Sequence, residues 1–183
     1  MTIDIKGAKL DYLSLATASN DFLEEVLRAG TVPDGDKLAG WEFRGFNTLD
    51  LTGMIGIRKF KKGFYKDGEL VRGYNVKIKQ KGGLLDEWED IVKNGESVKH
   101  GFYNVEPVSD SNKDNLYPNS LLLNYGSSDR NPMADPSKFL RDYLVQVDPE
   151  NDDLYLGKAF VALGPKRVFV SYFVIERSNP STL

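Results

Sequence analysis

Cysteine is absent from the 183 residues, so disulfides, thiolate metal sites and a cysteine nucleophile are excluded. Histidine occurs once, as His100, which leaves no two-histidine metal site within one chain. Basic charge is not in excess: 24 Lys and Arg stand against 27 Asp and Glu, a net charge of −3. Binding to nucleic acid needs basic charge to displace counterions from phosphates, and an anionic membrane surface asks for the same. No apolar run reaches the length of a membrane span, and the first residues carry Asp4 and Asp11 in place of an apolar signal core. The expectation is a soluble, cytoplasmic protein that engages neither nucleic acid nor membrane. No phosphate loop, dinucleotide fingerprint or serine-nucleophile elbow occurs, and no metal or cofactor is implied.

What is present is an ordinary globular composition, 40% hydrophobic and 28% charged. The length predicts a single domain over residues 1–183, able to bury roughly 70% of its surface. One segment has clear helical spacing. Phe22, Leu23, Val26 and Leu27 line one side of Asp21 to Ala29, with Ser19 or Asn20 to cap it and Gly30 to end it in a left-handed conformation. Val32-Pro33-Asp34-Gly35-Asp36 then breaks the chain.

Most of the remainder alternates with period two between turn residues. Strands are predicted from Trp41 to Phe46, from Met54 to Phe60 with an extension to Tyr65, and, after an Asp67-Gly68 hairpin signal, from Glu69 to Lys79. Further strands are predicted at Ser97 to Val105, Ser120 to Tyr125, Leu154 to Leu163 and Arg167 to Arg177, the last two joined by Gly164-Pro165-Lys166. Leu84 to Val92 fits either a short helix or an irregular excursion, since Leu85, Trp88 and Val92 form a helical stripe in a short segment. Phe139 to Val147 reads as a helical start passing into a strand. About eight short strands with one early helix and one or two further short helices predict a mainly β fold, an antiparallel β-barrel. A barrel of that size leaves room for side chains or one small ligand.

Polar residues in apolar rows are the places to look for chemistry. Arg72 shares a strand face with Leu70, Tyr74, Val76 and Ile78, and Lys158 sits between Leu156 and Phe160. A buried cation is costly unless paired, so each is expected to meet a ligand anion, a structural acid or solvent. His100, between Val98 and Phe102, is a candidate general acid or base and equally a hydrogen-bonded core residue. Tyr74, Tyr125, Tyr143 and Tyr172 offer apolar bodies with polar tips, suited to a core or to the wall of a ligand site. The candidate ligand-binding set is therefore Arg72, Tyr74, His100, Tyr125, Lys158 and Tyr172. Asp110, Asn112 and Asp114 have the spacing of a calcium loop, but Asn115 and Leu121 occupy the positions that need Gly and Glu.

The early helix, Gly40-Trp41 on the first strand and Arg177 at the end of the last together resemble the lipocalin and wider calycin plan. In that plan a first-strand Trp is covered by a late Arg, closing one end of a cup-shaped barrel that holds an apolar ligand. Its motif is Gly, any residue, Trp; here Gly40 and Trp41 are adjacent. The resemblance implies structural roles for Trp41 and Arg177. Three readings of function follow: a non-enzymatic barrel binding a small apolar or amphipathic molecule, a barrel enzyme doing proton-transfer chemistry such as an isomerase, cyclase or decarboxylase, or a protein-interaction module presenting the loops Ser109 to Asn119 and Gly126 to Pro136.

Overall fold

The computed structural model describes residues 7, 9–48, 57–111 and 113–183. Three helices come first: α1 (Tyr12–Ala16), α2 (Asn20–Ala29) and α3 (Gly35–Leu38). The strands are β1 (Trp41–Asn47), β2 (Lys59–Asp67), β3 (Leu70–Val76), the short β4 (Val92–Lys93) and β5 (Glu96–Ser97), β6 (Lys99–Pro107), β7 (Leu121–Asn124), β8 (Leu140–Gln146), β9 (Leu154–Leu163) and β10 (Lys166–Pro180). Apart from β4 and β5, which pair with each other, each strand hydrogen-bonds antiparallel to the strands next to it in the chain. β10 returns to β1, so the eight strands form a closed barrel. Closure gives each of these eight strands a partner on both sides and removes from the barrel the exposed edges that invite aggregation.

Local chemistry accounts for the elements. Ser19 caps α2 by accepting the Phe22 amide at 3.3 Å, and Leu23, Val26 and Leu27 are buried against the barrel. Gly30 ends the helix with φ −65°, not the left-handed conformation expected, because the chain turns directly into a bridge between Thr31 and Gln146. The β2–β3 turn consists of Gly68-Glu69, one residue later than the Asp67-Gly68 signal implied, with Gly68 at φ +61°. Asn94 and Gly95, both at positive φ, make the tight turn between β4 and β5. Of the second predicted strand, Met54 to Gly56 lie outside the described residues; the described strand starts at Lys59 and runs past Tyr65. Leu84 to Val92 is an irregular excursion: Leu85 and Val92 stay exposed, Trp88 donates its indole N–H to the Gly45 carbonyl at 3.1 Å, and Glu89 and Ile91 make backbone bonds with Lys79 and Lys77. Pro136–Phe139 is one turn of 3-10 helix leading into β8; of the segment predicted to start as helix only Phe139 belongs to it, and Leu140 onward is strand.

Both faces of the sheet are buried, each by different partners. Outside, α1 and α2 cover Leu122, Tyr143, Val145, Leu156, Tyr172 and Val174. Inside, one end is filled by a column of rings: Tyr155 meets Phe43 at 5.5 Å, Phe43 meets Phe64 at 5.6 Å, Phe64 meets Tyr103 at 5.7 Å and Tyr103 meets Tyr125 at 5.1 Å. Each such contact contributes about 1 kcal/mol beyond burial itself. Leu38 of α3 is fully buried in the same cluster. The Arg177 guanidinium lies 4.6 Å from the Trp41 ring centre and donates to the carbonyls of Lys37 and Asp152, tying that end shut.

Four strand glycines face aromatic partners directly across the ladder: Gly45 opposite Phe60, Gly73 opposite Tyr103, Gly157 opposite Phe173 and Gly63 opposite Tyr74. A Cβ at any of the four would run into the partner's ring. With only hydrogen there, the rings lie flat over the neighbouring strand, a pairing that supports strong curvature of the sheet.

Candidate functional site

The ring column fills only part of the barrel. Above it the interior opens into a cavity of about 370 Å³ that reaches the surface at the opposite end. Its depth is set by one layer of polar side chains drawn from four strands or their ends. Lys62 on β2 and Asn75 on β3 are direct cross-strand partners, Tyr125 follows β7, and Asp142 lies on β8.

These four form one network. The Lys62 Nζ donates to Asp142 Oδ2 at 2.8 Å, to the Tyr125 hydroxyl at 2.6 Å and to Asn75 Oδ1 at 3.2 Å. Tyr125 donates in turn to Asp142 Oδ2 at 3.0 Å, and Asn75 Nδ2 donates to the Gly101 carbonyl at 2.9 Å and to Tyr125 at 3.2 Å. Lys62 and Asp142 side chains are 4% and 5% exposed. Four ring centres surround the ammonium: Tyr103 at 5.0 Å, Tyr125 and Phe173 at 5.2 Å, and Phe60 at 5.5 Å. Burial lowers the Lys62 pKa, and the opposing pull of Asp142 does not cancel it. Burial and then the Asp142 charge raise the Tyr125 pKa, so its hydroxyl stays protonated as a donor.

Above this floor the walls are apolar, with Phe60, Leu140, Ala159, Val170 and Phe173 facing the cavity. Polar and basic groups gather at the mouth, among them Lys77, Gln80 and His100, and the buried Ser171 also lines the cavity. The His100 pKa is lowered by partial burial and by the charges of Lys77 and Lys62, against a smaller pull from Asp135.

Of the six residues singled out in the sequence, two touch this cavity: Tyr125 in the floor and His100 at the mouth. Lys158 and Tyr172 sit together on the outer face beneath α2. There Lys158 bonds Glu24 at 2.8 Å and Tyr117 at 2.7 Å, while Tyr172 donates to Glu24 at 2.7 Å. Arg72 is also on the outer face, in ion pairs with Asp67 at 2.8 Å and Asp129 at 2.9 Å. Tyr74 packs with Val76 and Ile78 outside the barrel and donates to Glu42 at 2.7 Å. Arg72 and Lys158 thus have the structural acids that one of their sequence readings foresaw, and neither reaches the cavity. Asp114, from the calcium-like spacing, holds Arg141 at 3.0 Å and also pairs with Arg167; Asn112 lies outside the described residues.

Lys62, Asp142 and Asn75 were not among the sequence candidates. The signal for two of them was nevertheless there. Phe60, Lys62 and Phe64 alternate on one strand face, and Leu140, Asp142 and Leu144 on another, the same polar-in-apolar pattern that singled out Arg72 and Lys158. Their opposite charges on two strands were the further cue to a pair.

Among the described residues no group of His, Asp and Glu is placed to hold a metal ion, and no helix is long and apolar enough to cross a membrane. No protein-family profile matches the sequence, and a search of curated proteins finds no significant match.

Proposed function

We propose that the protein is a ligand-binding barrel of lipocalin-like, or more broadly calycin-like, kind, holding one small and largely apolar molecule with a single polar group turned toward Lys62 and Asp142. The observation that carries this reading is the cavity itself, apolar in its walls, floored by a satisfied ion pair and open at one end. Its volume falls within the roughly 300–1,000 Å³ typical of small-molecule sites, and a few fixed polar groups in an apolar pocket are what orient a bound ligand. The Arg177–Trp41 contact at the opposite end supports the calycin comparison, although Gly40 and Trp41 are adjacent. Arg72 and Lys158 have no part in the proposal, because both are engaged outside the barrel.

The test is titration with anilinonaphthalene sulfonate, whose fluorescence rises in apolar surroundings. The wild-type protein should bind the probe at a single site. Ala159→Phe, which places a ring in the cavity wall, should weaken binding at least tenfold while the far-ultraviolet spectrum stays β-rich. Val170→Trp provides a second blocking variant if Ala159→Phe does not fold. A wild-type protein that takes up no apolar probe, or folded blocked variants that bind as well as wild type, would overturn the reading.

A further inference from the structure

Lys62 differs from an ordinary ligand-orienting lysine in where its nitrogen stands. It lies at the bottom of an apolar pocket, ringed by four aromatic side chains, with a carboxylate at 2.8 Å and a phenol at 2.6 Å. We propose that Lys62 is a covalent anchor for carbonyl compounds, forming a reversible imine with an apolar aldehyde that enters the cavity. This rests on the cavity being a ligand site and adds to it a substrate class, an aldehyde carried on an apolar body.

The groups needed for the condensation are all in place. Transfer of a proton from the Lys62 ammonium to Asp142 frees the nitrogen lone pair, and the lowered Lys62 pKa favours that step. The lone pair attacks the carbonyl carbon, so a C–N bond forms as the C=O π bond opens onto oxygen. That oxygen takes the proton back from Asp142, and the nitrogen then gives one of its own protons to Asp142, leaving a neutral carbinolamine. Asp142 next delivers its proton to the hydroxyl; the C–O bond breaks, water leaves, and the nitrogen lone pair completes C=N. The sum is aldehyde plus ammonium giving protonated imine plus water.

Charge is conserved beside Asp142 throughout, because the protonated imine replaces the ammonium as its partner. An unpaired buried carboxylate, which would cost several kcal/mol, is therefore avoided. Tyr125, held between Lys62 and Asp142, keeps the carboxylate aimed at the nitrogen. The apolar walls limit the water available for hydrolysis. Lys158 supplies an internal contrast. Rings also surround it, the nearest being Tyr172 at 4.8 Å. Yet burial, which would lower its pKa, is outweighed by bonds to Glu24, Tyr117 and Tyr172 that raise it, and it faces α2 instead of the cavity.

The test uses the intact protein with trans-cinnamaldehyde at neutral pH, reduction by sodium cyanoborohydride, and mass-spectrometric mapping of the modified lysines. Lys62 should be labelled at least ten times faster than Lys158 or any surface lysine, and cinnamyl alcohol, which has no carbonyl, should protect it. Lys62→Arg keeps the positive charge without a primary amine and should take no label in the cavity. If the alcohol displaces the probe from wild type but labelling of Lys62 is absent or no faster than elsewhere, the covalent role falls and the binding site stands. If the alcohol displaces nothing and Lys62 is not labelled, both fall. Labelling is mapped on the wild-type chain, so the result holds even if Lys62→Arg does not fold.

Discussion

At the scale of single residues, the Lys62–Asp142 pair is the most constrained feature of the barrel. Two opposite charges with almost no exposure are stable only together, because each alone would keep the desolvation cost and lose the attraction. Asp142→Asn keeps the shape of the side chain and removes the charge, and should destabilise the protein by about 3–5 kcal/mol in urea unfolding. Combining it with Lys62→Met removes the stranded charge as well and should recover most of that loss. Strict additivity of the two changes would mean that the residues do not act as a pair. The sequence held a legible sign of this pair in its period-two rows, but the same sign marked Arg72 and Lys158. Nothing local separates an inward row from an outward one when helices and loops cover the outside of the sheet with apolar surface of their own.

At the scale of elements, α2 is fastened to the barrel by its buried stripe and by Glu24. Burial pushes the Glu24 carboxyl up, but hydrogen bonds from Lys158 and Tyr172, with the charges of Lys158 and Arg28, outweigh it and bring its pKa down to about 2 from 4.5. A depressed carboxyl pKa contributes stability that is present above the unfolded value and lost as the pH falls toward the folded one. Glu24→Gln should therefore cost about 1–2 kcal/mol at neutral pH, after allowance for partial solvent screening. That difference from wild type should shrink between pH 4.5 and pH 2, followed by thermal melts across the range. A gap that stayed constant with pH would show that Glu24 acts through packing alone. The helix itself was legible because its apolar spacing and Ser19 cap are local. Leu84 to Val92 was not, because its conformation depends on contacts outside it: the Trp88 indole bond to Gly45, the backbone bonds of Glu89 and Ile91 with residues 77–79 and the Asp90 pair with Lys61.

At the scale of the whole molecule, the closed meander has no edge strand, and its two ends differ: one is filled with rings and pinned by Arg177, the other is open. Closure makes β1 and β10 as well paired as any other strand. In native-state hydrogen exchange, amides of β1, β9 and β10 should exchange together, near the rate set by global unfolding, while those of exposed residues 92–96 should exchange far earlier. Early exchange along the β1–β10 seam would mean that the barrel opens there.

The strand count, the early helix, the hairpin joining β9 and β10 and the mainly β class were determined by the sequence itself, because turn residues and hydrophobic period act over a few neighbouring positions. Which face of each strand points inward, how far the rings fill the barrel, and which lysine stands beside which acid were decided only by the tertiary structure. Those outcomes depend on the closing register between β1 and β10, whose partners lie more than a hundred positions apart, and on the glycine–ring pairings across the ladder, whose partners belong to different strands.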